Sequence, residues 1–203
     1  MSASIELCVE TAPFERIAAD LAVAGFFLDE RPLRGAAGRA DWRLCGAISE
    51  LVASGRLRGK VGEAALVPTL GRMSATNVLL LGLGRRSSFR VGRARDTSHA
   101  AVKRGLALGA RRVVIAPPLG GPEAFSRQAS GFVRGAIEAA AESSGSLRLS
   151  VALSASEARE AIASLERAVA ADPAAAIEWL GLRPGSRRPA TAPAGFGLGP
   201  RPL

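Results

Sequence analysis

From Asp20 to Leu28 the chain reads DLAVAGFFL, an almost unbroken apolar run that stops on Asp29-Glu30. A strand this apolar has no side to offer water. It must be buried on both faces, as in a sheet with helices packed above and below. The rest of the chain supplies such elements in alternation. Ile5, Leu7 and Val9 alternate with polar residues as a half-buried first strand. Glu63 to Val67 and Asn77 to Leu81 read as two strands joined by a turn around Gly71, Arg111 to Ala116 as a strand ended by Pro117-Pro118, and Leu147 to Leu153 as the last. Between them, Ala37, Ala40, Leu44, Ala47, Ile48 and Leu51 recur at the spacing of one helix that stops at Gly55. A second helix spans roughly Arg93 to Leu108, with a small-residue face of Ser98, Ala101, Val102 and Gly105. Pro122 suits a first helical turn, and Phe125, Ala129, Phe132, Val133, Ile137 and Ala140 form one amphipathic stripe. Ser154-Ala-Ser-Glu157 is a capping box opening a helix to about Ala171, and Asp172-Pro173 restarts a short helix to about Leu180. The alternation predicts a three-layer α/β/α sandwich on a mixed, mostly parallel sheet.

Length and charge limit the functions open to such a chain. Its 203 residues suit one domain, assigned to residues 1–181, with a Pro/Gly/Arg-rich tail over 182–203 expected to be disordered. The net charge of +9 invites a nucleic-acid reading. Only two of the 27 basic residues are lysines, however, and the tail supplies four arginines without an acid, leaving +5 for the rest. No tyrosine is present to build a base-stacking platform. Val78 to Leu83 is too short to span a bilayer, and the acidic start is unlike a secretory signal, so no membrane partner and a cytoplasmic location are expected. Cys8 and Cys45 fit neither a disulfide framework nor a metal site.

Catalytic chemistry is not visible. The acids Asp29, Glu30, Asp41, Glu50, Glu63, Asp96, Glu123 and Glu138 are scattered, and His99 lacks a nucleophile in any recognisable pattern. No catalytic residue, metal ligand or cofactor is assigned. Two loops carry binding chemistry instead. Asp29-Glu-Arg-Pro-Leu-Arg-Gly-Ala-Ala-Gly-Arg joins the buried strand to a helix, where open α/β sheets bind ligands. Gly82-Leu-Gly84-Arg85-Arg86 leaves another strand and could cradle an anion. The ligand-binding candidates are Asp20, Arg31, Arg34, Gly35, Gly38, Gly82, Gly84 and Arg85. The nucleic-acid candidates, not favoured, are Arg56, Arg58, Lys60, Arg85, Arg86 and Arg90.

The stretch from Phe27 to Gly84, with its Arg/Gly loop, Asp41-Trp42, Gly46, strand ending in Pro68-Thr69 and closing Gly-Leu-Gly, resembles the N-terminal domain of the leucyl aminopeptidase family (peptidase M17). The resemblance is dense from about Asp20 to Gly84 and thinner to about Ala140. It implies a macro-domain-like fold. The family's two-metal chemistry lies in a separate C-terminal domain, whose Asn-Thr-Asp-Ala-Glu-Gly-Arg segment has no counterpart here. The Arg31–Arg39 loop is also similar to the first ligand loop of macro domains, with Asp20 standing for an adenine-contacting acid. The Asn-Ala-Ala-Asn of macro domains is replaced by Phe27-Leu-Asp-Glu. The resemblance thus implies a stand-alone, non-catalytic domain serving assembly or regulation, with itself or a full-length aminopeptidase as partner. Nucleotide or ADP-ribose-like binding, DNA binding and a split or decayed gene remain the alternatives.

Overall fold

The computed structural model describes residues 2–118, 122–172 and 177–183. Seven strands form one sheet: β1 (Ser4–Glu10), β2 (Leu21–Phe26), β3 (Ala64–Pro68), β4 (Asn77–Gly82), β5 (Arg112–Ala116), β6 (Ser146–Ala152) and β7 (Ile177–Arg183), in the order β3-β4-β2-β5-β6-β1-β7. Every pairing is parallel except β3 with β4. The expected mixed, mostly parallel sandwich is what forms, and β2 sits inside the sheet between β4 and β5 with no solvent edge.

Alternate residues of the strands feed two cores. Leu7, Val9, Leu21, Val23, Val113, Ile115, Leu149 and Val151 face α3 (Val91–Ala107), α4 (Pro122–Ser126), α5 (Ala129–Ala141) and α6 (Ala155–Ala170). Ala22, Ala24, Phe26, Val78, Leu80 and Val114 face α1 (Gly35–Arg43), α2 (Ala47–Ala53) and the 3-10 turn Phe14–Arg16. Small residues let α3 and α5 nearly touch. A Cβ on Gly135 would stand 2.1 Å from the Arg95 carbonyl oxygen and 2.3 Å from Ser98 Oγ. Ser98, buried there, donates to the Phe132 carbonyl at 2.6 Å.

The structure corrects three readings. The helix expected over 37–51 is two, because Cys45 and Gly46 both take positive φ (56° and 86°) and turn the chain between them. Asp41 then caps α2 from α1, its Oδ1 accepting the N–H groups of Ile48 and Ser49, both at 2.9 Å. The stripe from Phe125 to Ala140 is likewise broken into α4 and α5. Of the short helix expected over 172–180, residues 173–176 lie outside the described residues and 177–180 belong instead to β7, which pairs with β1 and docks Trp179 on α6 through Nε1–H to Glu166 at 3.0 Å. β7 runs on through Leu182 and Arg183; the remainder of the expected tail, 184–203, lies outside the described residues. The capping box at Ser154 and Glu157 forms with both reciprocal bonds.

Candidate functional site

Three loops meet beyond the carboxyl ends of β2 and β4. They are residues 28–34 after β2, 56–63 before β3, and 82–90 after β4. The sequence candidates Arg31, Arg58, Lys60, Gly82, Gly84, Arg85 and Arg86 all fall in this braid, so the structure joins the two candidate sets into one region. Main-chain bonds lace it: Leu28 N–H to the Gly84 carbonyl at 2.9 Å, Gly84 N–H to Gly59 at 2.8 Å, and Gly82 N–H to Glu63 at 2.9 Å.

The glycines are explained by this crossing. A Cβ on Gly82 would lie 2.0 Å from the Lys60 carbonyl oxygen, and one on Gly59 2.9 Å from the Leu28 nitrogen. Gly84, at φ 76°, would meet Val61 Cγ2 at 2.8 Å. The Gly-Leu-Gly segment therefore admits the 59–60 chain, and the N–H groups of both glycines are already spent inside the protein.

Several of the charges are spent in the same way, whereas Arg34, Arg56 and Arg85 make no side-chain hydrogen bond or ion pair among the described residues. Arg31 donates to the carbonyls of Phe27, Glu30 and Arg58 at 2.8, 2.7 and 2.9 Å. Arg86 pairs with Glu30 at 2.7 Å and lies 5.4 Å over the Phe27 ring, while its N–H donates to Asp29 Oδ1 at 2.9 Å. That N–H foremost holds the Asp29 carboxyl below its ordinary range, against a small cost of burial. Arg90 turns back onto the carbonyls of Ser87 and Phe89. Successive N–H groups of Arg58, Gly59 and Lys60 form a concave anion receptor. Its occupant is Glu63 Oε2, at 2.8, 2.7 and 3.0 Å. Burial pushes the Glu63 carboxyl up, but these three N–H groups and the Lys60 charge outweigh it and hold it low. The sequence reading missed Glu63 as the residue that closes the receptor.

A separate cleft of about 430 Å³ opens at the carboxyl ends of β1, β5 and β6, lined by Pro13, Phe14, Gly35, Arg39, Pro117 and Ser154 among others. The N-termini of α1 and α6 border it. Ser154 caps α6, whereas Arg34 begins α1 without a side-chain cap. Gly35 takes φ 58°, and a Cβ on Gly38 would stand 2.5 Å from the Leu33 carbonyl oxygen. Arg39 Nε lies 3.3 Å from Glu15 Oε2, an ion pair whose alignment falls short of a hydrogen bond. Arg34 and Gly35 also line a smaller pocket toward Glu30 and Arg86. Asp20 is not part of this region. It sits before β2, at the other end of the strands, accepting the N–H groups of Arg111 and Arg112 at 2.9 Å each.

Among the described residues no three His, Cys, Asp or Glu side chains converge as a metal site, and no helix is long and apolar enough to cross a membrane. Cys8 is buried, and that burial above all raises its thiol pKa; Cys45 is exposed.

The N-terminal domain of the cytosol aminopeptidase family matches residues 23–147, more than half of the chain. A probable cytosol aminopeptidase of Cyanothece sp. is 32% identical over 81 residues, which is 40% of this chain and 16% of that protein. The chain thus spans about a sixth of that relative's length. A tomato leucine aminopeptidase mutant superposes over 83% of this chain and 35% of its own, with 18% identity and a TM-score of 0.55. An Oceanobacillus iheyensis macrodomain mutant solved with ADPR superposes over 80% of this chain and 92% of its own, with 10% identity and a TM-score of 0.63.

Proposed function

The chain belongs to the cytosol aminopeptidase family through its N-terminal domain, and we propose that it acts as a non-catalytic docking domain, binding a full-length aminopeptidase or a second copy of itself. The observation that carries this reading is the closed braid of loops 28–34, 56–63 and 82–90. A phosphate or nucleic-acid receptor depends on N–H donors and cations left open to the ligand. Here Glu63 fills the N–H receptor, Arg31 is spent on carbonyls and Arg86 is paired with Glu30. A region that satisfies itself is stiff before a partner arrives, which lowers the entropic cost of association. Val61 at its rim and Leu66 on the neighbouring edge strand β3 are about half exposed and offer the apolar contact.

Light scattering tests this on the purified chain, alone and mixed with a full-length aminopeptidase of the same cell. A shared peak or a symmetric self-assembly, lost in Val61→Asp, is the expected result. A monomer that ignores the enzyme overturns the reading. The cleft between α1 and α6 favours a second reading, a small anionic ligand of nucleotide type, because α1 presents an uncapped N-terminus and a weakly held Arg39 there. A thermal shift with ADP-ribose that Arg39→Ala removes would establish it; equal shifts in both proteins would dismiss it.

A further inference from the structure

Among the described residues the sheet ends in β3 on one side and β7 on the other, and the two edges are unlike. β7 carries Glu178 and Arg183, and its pairing with β1 shifts register between Leu7 and Val9. Charge and irregularity of this kind keep an edge from recruiting another strand. β3 reads AALVP, with no charge and an uninterrupted register against β4.

The ladder shows which groups β3 leaves open. Just beyond its ends, Gly82 N–H donates to the Glu63 carbonyl at 2.9 Å and Thr69 N–H to the Thr76 carbonyl at 3.1 Å, both in the register of the strand pair. Antiparallel bonding alternates along a strand. Ala65 and Val67 therefore turn their main-chain groups to β4, and Ala64, Leu66 and Pro68 turn theirs outward. Pro68 brings a carbonyl to that edge but no N–H. The side chains of Ala65 and Val67 pack on the α1–α2 core, so Leu66, 46% exposed, stands on the α3 face.

Apolar exposure continues at both ends of the strand. Val61 is 49% exposed and Leu70 81%. Leu70 takes φ 51°, a left-handed conformation uncommon for leucine, and so holds its side chain in water at a cost in backbone strain. Val61 also lines an open groove of about 210 Å³ against α3, with Gly62, Leu81, Leu83, Thr97 and Ala100.

We propose that β3 pairs with β3 of a second copy of this chain, antiparallel about a two-fold axis at Leu66, making one continuous sheet. The proposal rests on the docking reading and names its partner and its contact. Leu66 exchanges both main-chain bonds with Leu66 of the second copy, and Ala64 N–H donates to the second copy's Pro68 carbonyl. Every outward N–H of the pair is then used, and only the Ala64 carbonyl stays with water. The same register sets Leu70 opposite Gly62 of the second copy, at the mouth of its groove. One contact thus covers Val61, Leu66 and Leu70 together. A foreign strand matches the main chain equally well, but the reciprocal fit of leucine and groove within one segment selects a second copy, as a two-fold interface requires.

Sedimentation equilibrium combined with hydrogen exchange tests it. The wild-type chain dimerises, and exchange at the Ala64 and Leu66 N–H groups slows as protein concentration rises. Leu66→Pro removes an N–H that β4 does not use, so the fold stands while the dimer dissociates at least about tenfold more readily. Leu70→Gly relieves the positive φ, keeps or raises Tm, and weakens the dimer by a similar factor, so at least one variant reports on a folded chain. A dimer that tolerates both substitutions, or that forms without slowing exchange at Leu66, overturns the edge pairing and leaves docking to another surface. A chain still monomeric at millimolar concentration overturns it as well. Mixing with a full-length aminopeptidase then separates the two readings: a shared peak keeps docking with the enzyme as partner, and its absence removes docking too.

Discussion

Replacing Glu63 by alanine empties the receptor formed by the N–H groups of Arg58, Gly59 and Lys60. A single carboxylate oxygen satisfies all three in the native loop. Gly59 is buried, whereas Arg58 and Lys60 are exposed and can turn to water. One buried donor left unpaired costs about 1–3 kcal/mol. In a chain of this size that lowers Tm by roughly 2–12 °C. The vacated receptor should then take an inorganic anion. At ten times its dissociation constant, phosphate would restore about 1.4 kcal/mol to the variant. Thermal melts of wild type and Glu63→Ala, run in rising phosphate at constant ionic strength, read both effects. Glu63→Gln, which keeps an acceptor and loses the charge, should fall between the two. The reasoning fails if Glu63→Ala melts with the wild type, or if phosphate raises both proteins equally.

Further outcomes follow from the same contacts. Gly135→Ala drives a methyl into the Arg95 backbone and should destabilise by about 1–3 kcal/mol despite alanine's better helix propensity. Gly92→Ala, in the first turn of α3 with nothing within 4 Å, should be neutral or stabilising by up to about 1 kcal/mol; urea denaturation separates the two signs. Ser154→Ala removes the capping box of α6 and should cost about 1 kcal/mol in the same assay. Asp29, Glu63, Glu138 and Glu142 all have carboxyls held below their ordinary range. A folded pKa below the unfolded one gives stability that is full above the unfolded value and lost as pH falls through the folded value. Tm should therefore decline on acidification below the ordinary carboxylate range, and a Glu142→Gln variant, relieved of its Lys103 and His99 partners, should decline less.

The elements legible in the sequence were those specified by neighbouring residues. β2 was visible because eight successive residues, Leu21 to Leu28, leave no polar side, and α6 because Ser154 and Glu157 form a local motif. The break between α1 and α2 was hidden because Cys45 at positive φ breaks no pattern of apolar spacing, and the cap from Asp41 spans seven residues. β7 was misread because Asp172-Pro173 suggests a helix start, while its pairing with β1 joins residues over 170 positions apart. At the candidate site, charge and glycine pointed to the loops after β2 and β4, which the structure brings together. That Gly82 admits a backbone rather than a phosphate, and that Glu63 fills the receptor, depends on which loops meet.

The crossing of three loops through glycine has a consequence for measuring them. Arg31, Glu63 and Gly84 sit on separate segments, yet each fastens a strand of the chain that the other two hold. Severing one tie loosens what the others grip, so a second substitution finds less left to lose. Double-mutant cycles among these residues should depart from additivity, as they do for side chains sharing one network. An alanine scan of this region, read one residue at a time, would count the same free energy more than once.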